Sequence, residues 1–194
     1  YKESFLKENG IEFLETPGAS FQDTGFALKV LTSARRMVIT RKAFLNYRVD
    51  NAGSSVKSGA KMFCVCDEYE SFEKHLARNP QRAEAFRYVI PSKKYETYVW
   101  NYNRLDDSLK PEFMERMSRE FAEAKASGNL KQSAFQDVEW KELNELIEDP
   151  AAFSDRALAV QYPPQDFKEH QRTRCANGLI SRLRMYGSFV KHAL

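Results

Sequence analysis

Cysteine is scarce in this chain: Cys64, Cys66 and Cys175 are the only three in 194 residues. That number and spacing exclude the disulfide framework of a small secreted domain, and a reducing, intracellular setting is expected. No run approaches the roughly 18 apolar residues that a spanning helix needs, so no membrane partner is expected. The first residues, YKESFLKENG, have neither a signal peptide's apolar core nor an initiator Met, and the chain is expected to be a fragment of a larger protein or to have a trimmed start. G-x-S-x-G, P-loop and G-x-G-x-x-G patterns are all missing, which removes the usual sequence routes to a serine hydrolase or a nucleotide-binding enzyme. Repeats and low-complexity segments are also missing. No cofactor is implied.

What remains is an ordinary globular composition, 42% hydrophobic and 29% charged, rich in aromatics with fourteen Phe and nine Tyr. A chain of this length buries about 70% of its unfolded surface and needs neither metal nor disulfide to fold. One domain over 1–194 is expected. Net charge is +3, but it is unevenly placed. Residues 35–104 carry fourteen Lys/Arg against seven acids, residues 105–155 six against thirteen, and residues 156–194 seven against two. The acidic helices read either as solvated faces or as facing another basic protein surface, such as the 35–104 region of a neighbouring copy.

The hydrophobic pattern changes period along the chain. A short helix ending at Gly10 fits the C-cap preference of glycine. Phe26, Leu28 and Val30 alternate, which favours a strand. Residues 36–49 read as a long β-prone run, 50–60 as a loop of small polar residues that buries little, and 61–66 as the returning strand. Asp67 or Ser71 is placed to cap a helix to about Arg78, with Phe72, His75 and Leu76 on one face. Residues 88–90 and 95–102 read as strands around a turn at Pro91-Ser92. After Asp106 the period is helical: Leu109, Phe113, Met117, Phe121 and Ala124 form one stripe, and Val138, Leu143, Leu146 and Ile147 another. Residues 151–160 read as a short helix, and 167–194 as a basic amphipathic one. The pattern predicts an α+β fold, with a mainly antiparallel sheet in the N-terminal half (β-rich 1–104) and helices from the C-terminal half (105–194) packed on it.

The strongest functional lead is the interleaving of cations and aromatics. Arg35, Arg36, Arg41, Lys42, Arg48, Lys93, Lys94 and Arg104 are candidates for phosphate contacts, and Tyr98 and Trp100, with Phe44, Tyr47 or Tyr102, for stacking on bases. Their plain alternative is aromatics facing the core and cations lining the solvent side. The expected function is a non-catalytic nucleic-acid-binding domain of low sequence specificity. The alternative is a protein-interaction or assembly module, binding another protein or its own copy through charge complementarity. An enzyme reading, a metal-dependent nuclease or nucleotidyl transferase, rests on Asp67 and Glu70 following a strand, with Asp50 near. First-turn carboxylates also complement a helix dipole without any chemistry. Cys64 and Cys66, sharing a strand face, with His170 and Cys175, lack the close ligand pairs of a zinc site, so no metal is expected.

Overall fold

The computed structural model of the chain describes residues 1–16, 20–38, 42 and 61–159, with side chains as far as Ser154. Every regular element among the described residues is a helix, and none is a strand. In order they are α1 (Glu3–Asn9), α2 (Gln22–Ser33), α3 (Cys64–Ala77), α4 (Pro80–Phe86), α5 (Val89–Tyr102), α6 (Lys110–Ala126), α7 (Asp137–Glu148) and α8 (Pro150–Ala159). Short 3₁₀ turns occupy Asp107–Leu109 and Gln132–Ala134.

The expected α+β fold is therefore corrected to a helical one. Each strand reading that falls on described residues fails for a specific reason. Residues 61–66 are the entry to α3: Met62, Val65, Cys66, Tyr69, Phe72 and Leu76, all buried, recur at helical spacing across the supposed strand boundary. The aromatic run at 95–102 lies in α5, where Tyr95, Tyr98 and Tyr102 follow one another at steps of three and four and are buried together. Pro91 sits in the first turn of that helix, where no backbone donor is needed, and makes no hairpin. In α2, Phe26 and Val30 face one neighbour and Leu28 another, and a helix buried on two sides mimics alternation. In each case tertiary packing outweighs the β-propensity of aromatic and branched residues. Most of 36–49, all of 50–60 and all of 167–194 lie outside the described residues.

The helices expected from period and capping are present where they fall on described residues. α1 ends at Gly10 in the left-handed region at φ 58. α6 buries Phe113, Met117 and Phe121, with Leu109 packed alongside. α7 buries Leu143 and Leu146, while Val138 is exposed rather than part of its stripe. It opens with a capping box in which the Gln136 amide N–H donates to Glu139 Oε2 at 2.9 Å.

Two apolar cores result. The larger is built from α3 to α8 around Tyr98 and Phe113, both fully buried. Its tyrosines carry their hydroxyls to polar partners at the edge: Tyr69 to Thr97 at 2.9 Å, Tyr98 to Glu120 at 2.8 Å, and Tyr102 to Ser154 at 3.1 Å. The smaller core is Ile11, Phe26 and Val30, with Phe5 and Leu6 against it. It belongs to an N-terminal unit in which the extended residues after α1 lie along α2, with Phe13 stacked on Phe26 at 4.1 Å. α2 and α3 pair along their lengths and run the same way, since Gly25 meets Glu68, Lys29 meets Ser71 and Ser33 meets His75.

Candidate partner-binding cleft

α3, α4, α5 and α6 enclose a cleft of about 840 Å³. Leu76, Ala83, Phe86, Ile90, Phe121 and Ala124 make its apolar surface. Charged groups stand around them, five carboxylates (Glu70, Glu73, Glu84, Glu120, Glu123) against three cations (Arg87, Lys94, Arg116).

The charges on the wall are joined around Glu120. Lys94 Nζ lies 2.9 Å from Glu120 Oε2 and 3.0 Å from Glu73 Oε1. Arg116 Nε donates to Glu120 Oε1 at 2.8 Å, and the Tyr98 hydroxyl donates to Oε2 at 2.8 Å. Burial alone would raise the Glu120 carboxyl, but Lys94 and the hydrogen bonds from Arg116, Lys94 and Tyr98 outweigh it and hold the group below its ordinary range. Lys94 loses some basicity to burial and regains more from Glu73 and Glu120, so it stays charged. Arg87 is held by Asn129 at 2.8 Å and the Ser127 carbonyl at 3.3 Å. Burial pushes the Cys66 thiol up to about 12, which removes it as a nucleophile near neutral pH. Lys94, Arg116, Glu73 and Glu120 thus form one mutually paired set on the wall, while Glu84 and Glu123 stand exposed at its rim.

Among the described residues, those expected to bind phosphates and bases lie at several separate places. Tyr98 is buried in the larger core with its hydroxyl on Glu120, which excludes base stacking, and Tyr102 is buried too. Lys94 is committed to Glu73 and Glu120, and Lys93 to Glu96. Arg35 and Arg36 are exposed just past the C-terminus of α2. Trp100 and Arg104 stack on each other, 3.9 Å from guanidinium carbon to ring centroid, near the other end of α2, where Phe21 meets the Trp100 ring edge-on at 5.8 Å. Lys42 is exposed, and Arg41, Phe44, Tyr47 and Arg48 lie outside the described residues.

Neither the nuclease nor the zinc arrangement assembles among the described residues. Asp67 faces Arg116 at 3.6 Å and Glu70 pairs with Lys74 at 2.6 Å, so each already has a cation. Asp50 lies outside the described residues. Cys64 and Cys66 are buried free thiols, and two positions apart on a helix they point to different sides, unlike on a strand. No group of three or more metal-ligating side chains occurs among the described residues, and His170 and Cys175 lie outside them.

A second polar cluster, unforeseen in the sequence, lines the α2–α3 contact. Lys29, 6% exposed, donates to Ser71 Oγ at 2.9 Å and to the Glu12 carbonyl at 3.2 Å. Ser33 Oγ lies 3.2 Å from His75 Nε2, a nucleophile–base distance, but His75 Nδ1 is buried with no hydrogen-bond partner to orient the ring. Glu68 is fully buried and neither of its carboxylate oxygens has a hydrogen-bond partner. The signal for this cluster was present as Gly25, Lys29 and Ser33 at steps of four and Glu68, Ser71 and His75 at helical steps. It is visible only once both segments are read as helices.

No helix among the described residues is long and apolar enough to cross a membrane. No protein-family model, curated protein or solved structure matches the chain.

Proposed function

We propose that the chain is a helical protein-interaction module whose α3–α6 cleft takes a helix-forming segment, apolar on one side and basic on the other. One observation carries this reading: an open cleft of about 840 Å³ with an apolar surface and a rim that is net acidic. Clefts between helices are the usual seats of such segments. The cations of the wall are already held by Glu73, Glu120 and Asn129, so a phosphate or carboxylate entering it would have to displace existing partners. A basic residue on the incoming helix instead meets carboxylates at the rim, such as exposed Glu84 and Glu123.

The test is an NMR titration of the chain with synthetic helical peptides that share one apolar stripe and differ in flanking charge. The Lys/Arg-flanked peptide should move amides of Leu76, Ala83 and Ala124 and bind more tightly than its Glu-flanked counterpart. Ala124→Arg, which fills the cleft, should abolish the shifts. Equal binding of both peptides, or binding indifferent to Ala124→Arg, overturns the reading. So does the absence of peptide binding in a preparation that binds single-stranded oligonucleotide in a salt-dependent way.

A further inference from the structure

The contact between α2 and α3 has an arrangement that a permanent helix–helix interface lacks. Its centre is polar, with the smaller core on one side of α2 and only Leu28 and the N-cap residue Phe21 packed against the larger core. On α3, Glu68, Ser71 and His75 face α2, while Cys66, Glu70, Glu73 and Ala77 line the cleft on nearly the opposite side of the same helix. The Glu68 side chain is pressed against Gly25, and a Cβ there would come within 2.1 Å of Oε2. Both carboxylate oxygens are buried and neither has a hydrogen-bond partner. The other charged groups around Glu68 are Lys29 and Asp23 from α2 and Asp67 from its own helix. Around His75 they are Arg78 from the end of α3, Lys29 from α2 and Arg82 from α4. Glu12, from the extended segment, faces Lys29.

We infer that the N-terminal unit, α1 with the segment after it and α2, is a proton-gated cover on α3, seated when Glu68 is protonated and His75 is neutral and released when either changes charge. A buried charge with no hydrogen-bond partner is costly, so whichever group charges favours the state in which water reaches it. Release moves Glu68 and His75 into solvent and takes the smaller core with the unit, and the larger core loses only the partly buried Phe21 and Leu28 from its edge.

The signs follow from the two groups. Burial pushes the seated Glu68 up to about 7 from 4.5, with Lys29 opposing and Asp23 and Asp67 adding, so rising pH between those values favours release. Burial, then Arg78, Lys29 and Arg82, lower the seated His75 below 6.5, so falling pH below that value favours release. In the native chain the two slopes oppose each other in the mildly acidic range and conceal one another. Separating them is the test, and it does not depend on what occupies the cleft.

Hydrogen exchange of α2 amides in the whole chain, corrected for intrinsic rates and referenced to α6, reads the opening of the cover. In His75→Asn, α2 opening should rise about tenfold or more from about pH 5.5 to pH 8. In Glu68→Gln it should instead fall as pH rises towards neutrality. At about pH 8 it should also lie about ten- to a hundredfold below that of the native chain. Glu68→Leu, which removes the same proton site, replaces the Gln variant if that one does not fold. Slopes of the same sign in the two variants, flat profiles in both, or α6 opening in step with α2 would each overturn the inference.

Discussion

Glu68 and Glu120 are both carboxylates on the inner sides of helices, and the protein treats them in opposite ways. Glu120 receives Lys94, Arg116 and Tyr98 and is held ionised. Glu68, with no hydrogen-bond donor and a glycine backbone against it, is pushed up to about 7. Burial acts on both in the same direction, and the donors supplied by neighbouring helices decide the outcome. Polar groups in the larger core are therefore part of its fixed structure, whereas those under α2 leave that contact conditional.

The comparison breaks most visibly if the larger core is not the rigid partner. Phe113→Ala should destabilise the chain by about 3–5 kcal/mol in urea denaturation, because the ring is fully buried between Tyr98 and Phe63. A loss below about 1 kcal/mol would mean that the core relaxes freely around that ring.

Removing each carboxylate's charge should give effects of opposite sign. Glu120→Gln should destabilise by about 2–4 kcal/mol near neutral pH, since Lys94 and Arg116 lose their shared counter-charge. Glu68→Gln should stabilise by about 1–3 kcal/mol near pH 8, because the buried carboxylate would otherwise be charged there. Glu68's stabilising contribution is complete below 4.5 and lost as pH rises through about 7, so the gain should vanish at low pH. Urea midpoints at two pH values measure both, and a shared sign would remove the distinction.

Gly25→Ala sharpens the geometry on the α2 side. Its methyl group would meet Glu68 Oε2 at 2.1 Å, so the variant should lose about 1–3 kcal/mol. Most of that loss should disappear in a Glu68→Ala background, and a double-mutant cycle without coupling would place the strain elsewhere. The smallest effect belongs to the solvated surface. Lys74→Ala removes a pair with Glu70 in which both side chains are more than half exposed, and should change stability by less than about 0.5 kcal/mol.

The legible parts of the fold were those where one physical signal acted alone. The α6 stripe is a single apolar face with polar residues elsewhere, and the end of α1 is a glycine that must adopt positive φ. The illegible parts were helices buried on more than one side. In α5 the tyrosine hydroxyls reach polar partners at the core's edge, so the residues read as amphipathic strand residues while their rings fill the core. Part of the opposition between the charge blocks is internal. Lys94 from the basic block meets Glu120 from the acidic one within the chain itself. The cleft was illegible for a different reason, since it is a gap between four helices and no segment encodes it alone.

The parallel pairing of α2 with α3 has a kinetic consequence. The helices of the larger core follow one another closely in sequence, so contacts between successive ones form with short chain closures. Seating α2 instead requires the whole stretch 34–63 to return to the same end of the molecule. Closing a connection of that length costs about 2 kcal/mol of chain entropy beyond a short turn. The N-terminal unit should therefore dock last in folding and depart first in unfolding, even at a pH where its seat is most stable.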